Sequence, residues 1–100
     1  MSHSLWHRGL EIDPRDAKAY NNRGLVYGKM GQYDQEISDY TKVLEINPRD
    51  AKVYIMRGRA YYFQKEYEKS WKDVEKAQYL GHRIDPEFLD DLLKASGRKN

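Results

Sequence analysis

Two histidines, His3 and His7, stand four residues apart near the start of the chain. On a helix that spacing can direct two imidazoles at one metal ion. No third ligand lies nearby, so the pair reads as part of a frayed terminus and no metal is expected. His82 is alone beside Gly81, a turn residue before it is a general base. Asp90 and Asp91 are adjacent and cannot face one another on a helix, which removes them as an acid–base pair. Gly24 and Gly28 fall inside a helical pattern rather than in a phosphate-cradling loop. Cysteine is absent, which excludes thiolate metal sites and a disulfide framework. The chain is expected to be no enzyme and to carry no cofactor.

The elements that would position any site come from a repeat. Leu10 to Tyr20 reads LEIDPRDAKAY and Leu44 to Tyr54 reads LEINPRDAKVY, 34 residues apart. An echo at that period marks one supersecondary unit copied in tandem. Aligning 17–50 with 51–84 keeps Ala17/Ala51, Tyr20/Tyr54, Arg23/Arg57, Gly24/Gly58, Tyr27/Tyr61 and Asp39/Asp73 among ten identities. Tyr20, Arg23, Gly24 and Tyr27 share one helical face. Asp16 is a good N-cap and Gly31 a good stop, so this helix should run about 16–30. Tyr33, Ile37, Tyr40 and Leu44 predict a second helix that ends before Pro48. The second copy predicts helices near 50–64 and 67–80. Short turns between them make antiparallel hairpins.

Upstream, 4–14 is in phase with a second-type helix only, a partial repeat. Downstream, Asp85-Pro86 opens a helix over 85–96 with Phe88, Leu89, Leu92 and Leu93 on one side, a cap for the array. Residues 97–100 form a tail expected to fray with Ser96. The expected fold is all-α: a short α-α superhelix of antiparallel hairpins with a C-terminal capping helix, one domain over 1–100.

One hundred residues can bury only a thin core. The net charge of +2 is too small to argue for nucleic acid, but it is unevenly spread: −1 over residues 1–48 and +3 over 49–100. No apolar run of membrane-spanning length and no secretory signal are evident. With the lack of cysteine, these point to a cytoplasmic location. Nine tyrosines against two Phe and two Trp suit half-buried positions.

Tyr20-x2-Arg23-Gly24-x2-Tyr27, then Tyr40 and Pro48, with Tyr54-x2-Arg57-Gly58-x2-Tyr61 opening a second copy, resembles the tetratricopeptide repeat pattern. Several positions depart from it. Arg23 and Arg57 stand where a large apolar residue is usual. Glu36 and Ser70 stand at a small position, Val74 replaces an aromatic and His82 a proline. Glu36 should loosen the first hairpin most. Asp39 and Asp73 each follow the arginine by sixteen residues on the facing helix, so Arg23–Asp39 and Arg57–Asp73 are expected to be partly buried ion pairs. Tyr20, Tyr27, Tyr54 and Tyr61 are expected as core.

The resemblance implies that the first helices of successive repeats line a concave wall that takes an extended peptide. Its groove positions map onto Lys18, Asn21, Leu25, Gly28 and Lys29, then Lys52, Ile55, Arg59, Tyr62 and Phe63. Residues 15–29 carry a net +3 and 49–65 a net +4, whereas 33–45 carry −3. A basic wall implies a protein or peptide partner that is acidic or ends in a carboxylate, gripped by Arg59. Tyr62 and Phe63 follow Tyr61 directly, so at least one turns away from the packed face. Two alternatives remain open. Leu5, Trp6, Leu10 and Ile12, uncovered by the missing first helix, would drive self-association. The basic 49–65 face would bind RNA, the weaker alternative.

Overall fold

A computed structural model describes residues 13–98. Five helices follow one another: α1 (Ala17–Lys29), α2 (Tyr33–Ile46), α3 (Ala51–Phe63), α4 (Tyr67–Tyr79) and α5 (Pro86–Ser96). Among the described residues there is no strand. The fold is an all-α helical repeat: α1 and α2 form one antiparallel hairpin, α3 and α4 the next, and α5 closes the end. The described residues extend 49 × 25 × 17 Å, the elongated shape of a stack rather than a ball. Among them, no helix is long and apolar enough to cross a membrane.

Local chemistry sets the helix ends. Asp16 accepts from the Ala19 N–H at 3.0 Å and Asp50 from the Val53 N–H at 3.4 Å, satisfying donors that the first turn leaves open. The α1–α2 turn runs through Gly31 at φ +74, a backbone region that costs glycine nothing. Its counterpart in the α3–α4 turn is Lys65 at φ +64, where a side chain adds about 1 kcal/mol of strain. Asp85 caps α5 through the Glu87 N–H at 3.1 Å, with Pro86 in the first turn.

The core lies between hairpins. Tyr40, Val43 and Leu44 of α2 meet Val53 of α3, with Tyr20, Tyr54 and Met56 packed around them. Trp71 and Val74 of α4 meet Phe88 and Leu92 of α5. Each apolar face is therefore buried by the next unit along the chain, the economy of a solenoid.

Three expectations need correction. Tyr20, Tyr27, Tyr54 and Tyr61 are half-buried rather than core, because their rings flank a guanidinium. The end of the chain is tied down as far as Arg98: its guanidinium pairs with Glu68 at 3.0 Å and Glu75 at 3.2 Å and lies 4.6 Å from the Trp71 ring centroid. The Trp71 indole N–H also donates to the Ser96 hydroxyl at 3.0 Å. Glu36 does not loosen its hairpin by crowding, since Gly28 leaves room for it (below). The partial repeat at 4–14, the Leu5, Trp6, Leu10 and Ile12 patch and the His3/His7 pair fall wholly or largely among residues 1–12, outside those described.

Candidate functional site: a mixed-charge groove between α1 and α3

Each hairpin is clasped from inside. Arg23 donates to both Asp39 oxygens, through Nε at 2.9 Å and Nη2 at 2.8 Å. Arg57 does the same to Asp73, at 2.8 Å for both bonds. Only 4% of either carboxylate side chain is exposed. Tyr20 and Tyr27 lie on either side of the Arg23 guanidinium, and Tyr54 and Tyr61 on either side of Arg57, all with ring centroids 5.8 Å away. This explains how arginine occupies an apolar position: its flat faces pack on rings while its edge meets a carboxylate. Arg57 also donates through Nη1 to the Thr41 hydroxyl of the preceding hairpin at 3.1 Å.

The Asp73 hydrogen bonds hold the Arg57 guanidinium above its ordinary value, outweighing burial. At Asp73 burial is the larger influence and pushes the carboxyl up, against the pull of Arg57. These directions oppose each other. Two short bonds to a guanidinium that does not titrate make the ionised carboxylate the form held at neutral pH.

The first helices of the two repeats part to leave a concavity of about 270 Å³. Leu25, Gly28 and Lys29 of α1 form one wall, and Met56, Arg59, Ala60 and Phe63 of α3 the other. Tyr33, Glu36 and Tyr40 of α2 close the bottom. Phe63 is 58% exposed and stacks on Tyr33 with centroids 5.4 Å apart. Leu25, Lys29, Arg59 and Phe63 are thus brought together at one opening.

The other expected groove residues are not. Lys18, Asn21, Lys52 and Ile55 line neither this concavity nor the one beside it. Tyr62 turns toward the cap, 5.6 Å from Phe88 and 5.8 Å from Tyr67 between ring centroids. Arg59 is partly engaged within the chain. It stands 3.6 Å from an Asp85 oxygen and 4.7 Å from the Phe88 ring centroid. With Arg57 also held by Asp73, two of the cations on the basic 49–65 face have intramolecular partners.

Reasoning from the sequence missed the bottom of the groove. Glu36 is only 9% exposed, with its carboxylate against Gly28: a Cβ built there would lie 2.6–3.0 Å from the carboxylate atoms. Burial pushes the Glu36 carboxyl up, with a smaller opposing pull from the Tyr40 hydroxyl. That hydroxyl is fully buried without a hydrogen bond of ordinary geometry. Its tie to Glu36 is a close approach that falls short of ordinary hydrogen-bond geometry. Burial, then the Glu36 charge, raises the hydroxyl far above its ordinary value. The available signal was the paired exchange of residue sizes: Gly28 with Glu36 in one copy, Tyr62 with Ser70 in the other.

Stacked antiparallel hairpins with a shared interior and an open groove between first helices define a helical-repeat binding protein. The chain belongs to the tetratricopeptide repeat family: two models of that repeat match residues 17–50 and 39–72, together spanning 17–72. No curated protein matched the chain. Tetratricopeptide repeats indicate a protein–protein interaction module, of a family that is typically a non-enzymatic scaffold.

Proposed function

We propose that the α1/α3 groove takes a short extended peptide bearing acidic residues or a terminal carboxylate. The observation that carries this reading is the placement of Lys29 and Arg59 on opposite walls of one concavity, above exposed Leu25 and Phe63. Two cations over an apolar bed attract a carboxylate while the bed takes its neighbours' side chains. The Arg59–Asp85 approach of 3.6 Å is longer than a hydrogen bond. An incoming carboxylate therefore exchanges a loose partner for a close one.

The test is a pull-down with the intact chain beside a Lys29→Glu/Arg59→Glu variant. A partner retained by the first and lost by the second supports the groove. Affinity for an isolated acidic peptide should fall with rising salt, though less steeply than a phosphate-contact RNA complex. A partner captured equally by both proteins would sink the reading.

A further inference from the structure

Glu36 is nine-tenths buried, borders an open concavity and closes no ion pair within the described structure, its one polar neighbour being the Tyr40 hydroxyl. That hydroxyl is itself buried and approaches Glu36 short of ordinary hydrogen-bond geometry, so a single neutral donor is all that the carboxylate meets. A buried carboxylate of this kind is costly unless something donates to it. The cations nearest by placement, Lys29 and Arg59 on the rim, do not close an ion pair with it.

The second repeat shows how the counterpart of this bottom is sealed. One repeat further on, Gly28 becomes Tyr62, Glu36 becomes Ser70 and Tyr40 becomes Val74. There the counterpart bottom, Ser70 and Val74, is fully buried, with Tyr62 and Phe88 packed around Val74. The open space of about 260 Å³ beside it is lined by Arg59, Phe88 and three acidic residues instead. Phe88 of α5 packs edge-on to Tyr62, and the Arg59 guanidinium lies over its ring. Apolar cover suits Val74, and Ser70 satisfies its own hydroxyl by donating to the Gly58 carbonyl at 2.7 Å. In the first repeat the bottom itself borders the open concavity and carries the Glu36 carboxylate.

We infer that the Glu36–Tyr40 bottom of the α1/α3 groove is a subsite for a cationic side chain of the partner, an arginine or lysine set among acidic residues. This deepens the groove reading above and rests on it. The long aliphatic stem of such a residue fits between Leu25 and Met56 on one side and the Tyr33–Phe63 stack on the other. Its head donates to the Glu36 carboxylate, and the Tyr40 hydroxyl gains a neighbour to bond. Lys29 and Arg59 at the rim would repel a bare cation, which is why the flanking residues must be acidic. The groove then selects a charge pattern rather than a net charge.

The experiment uses synthetic peptides that share acidic flanks and differ only at a central arginine, leucine or glutamate, titrated by fluorescence anisotropy. The wild-type chain should prefer the arginine peptide over the leucine one by roughly tenfold, the scale of one charge-assisted hydrogen bond. Glu36→Gln should erase that preference by weakening the arginine peptide, while the leucine peptide, with less charge opposing its acidic flanks, holds or gains affinity. Gly28→Ala gives the same loss by another route, because the new methyl takes the carboxylate's place while the acid stays in the chain. Circular dichroism checks that both variants fold. Equal affinity of wild type for the arginine and leucine peptides, or a preference that survives Glu36→Gln, overturns the subsite and leaves the groove standing. No binding of any peptide overturns the groove and the subsite with it.

Discussion

The two hairpins carry the same clasp in different packings. Arg23–Asp39 and Arg57–Asp73 have nearly identical lengths and the same tyrosine flanks. Around them the residue sizes are exchanged. In the first hairpin the second helix supplies bulk, Glu36 and Tyr40, against glycines at 24 and 28. In the second the first helix supplies it, Tyr62, against Ser70 and Val74. The clasp sets how the helices meet, and the exchanged pair decides whether the second helix borders an open concavity, as Glu36 and Tyr40 do, or is sealed, as Ser70 and Val74 are. Function can therefore vary between repeats without disturbing the arginine–aspartate register.

The comparison can be tested first at its shared part. Asp39→Ala and Asp73→Ala should each cost about 3–5 kcal/mol, because each removes a two-pronged carboxylate partner from a mostly buried guanidinium. Chemical denaturation measures both, and a loss no greater than that of a surface change at either site would break the claimed equivalence. The next effect separates the hairpins. A Cβ at Gly24 would lie 2.7 Å from the fully buried Tyr40 ring, whereas one at Gly58 would lie 3.3 Å from the Asp73 Cβ. Gly24→Ala should thus cost about 1–3 kcal/mol from overpacking. Gly58→Ala should fall near neutral, since better helix propensity offsets a small shift. Equal costs would remove the asymmetry.

Two smaller changes should stabilise. Glu36→Gln removes the ionised form that burial disfavours, for a gain of about 1 kcal/mol at neutral pH. The Glu36 carboxyl is raised in the folded state, so that state holds its proton to higher pH than the unfolded chain does. Wild-type stability from this group is therefore full below the unfolded value and lost as pH rises through the folded one. The advantage of Glu36→Gln should vanish in acid and grow toward neutrality; thermal melts across that window would show a flat difference if the carboxyl were not responsible. Lys65→Gly should add up to about 1 kcal/mol by relieving the left-handed lysine. The same melts test it, and no gain would mean that the α3–α4 turn carries no strain that its partner turn lacks.

Much of the fold was open to inference from residue types alone. The 34-residue echo, aspartates before alanine at 16 and 50, and Pro48 and Pro86 each have a local physical meaning that does not depend on distant neighbours. The site was less legible. Leu25, Lys29, Arg59 and Phe63 share an opening, but their family positions say nothing of what lies beneath them. Glu36 looked like a defect at a small position because the room it uses belongs to Gly28, eight residues earlier on another helix. Arg59 looked free because Asp85 and Phe88 reach it across a connection with no counterpart between α2 and α3. In both cases the deciding contact depends on how two elements dock, which spacing within one element does not encode.

The bond from Arg57 back to Thr41 gives the stack a polarity. Every other contact of that guanidinium lies within its own hairpin, but this one is made to the hairpin before it. A unit added downstream thus checks the alignment of its predecessor as it docks. Assembly of this kind is vectorial, and at this junction the Thr41 hydroxyl, with Asp34 accepting from the Gln64 amide, tells a neighbour in register from one displaced by a turn.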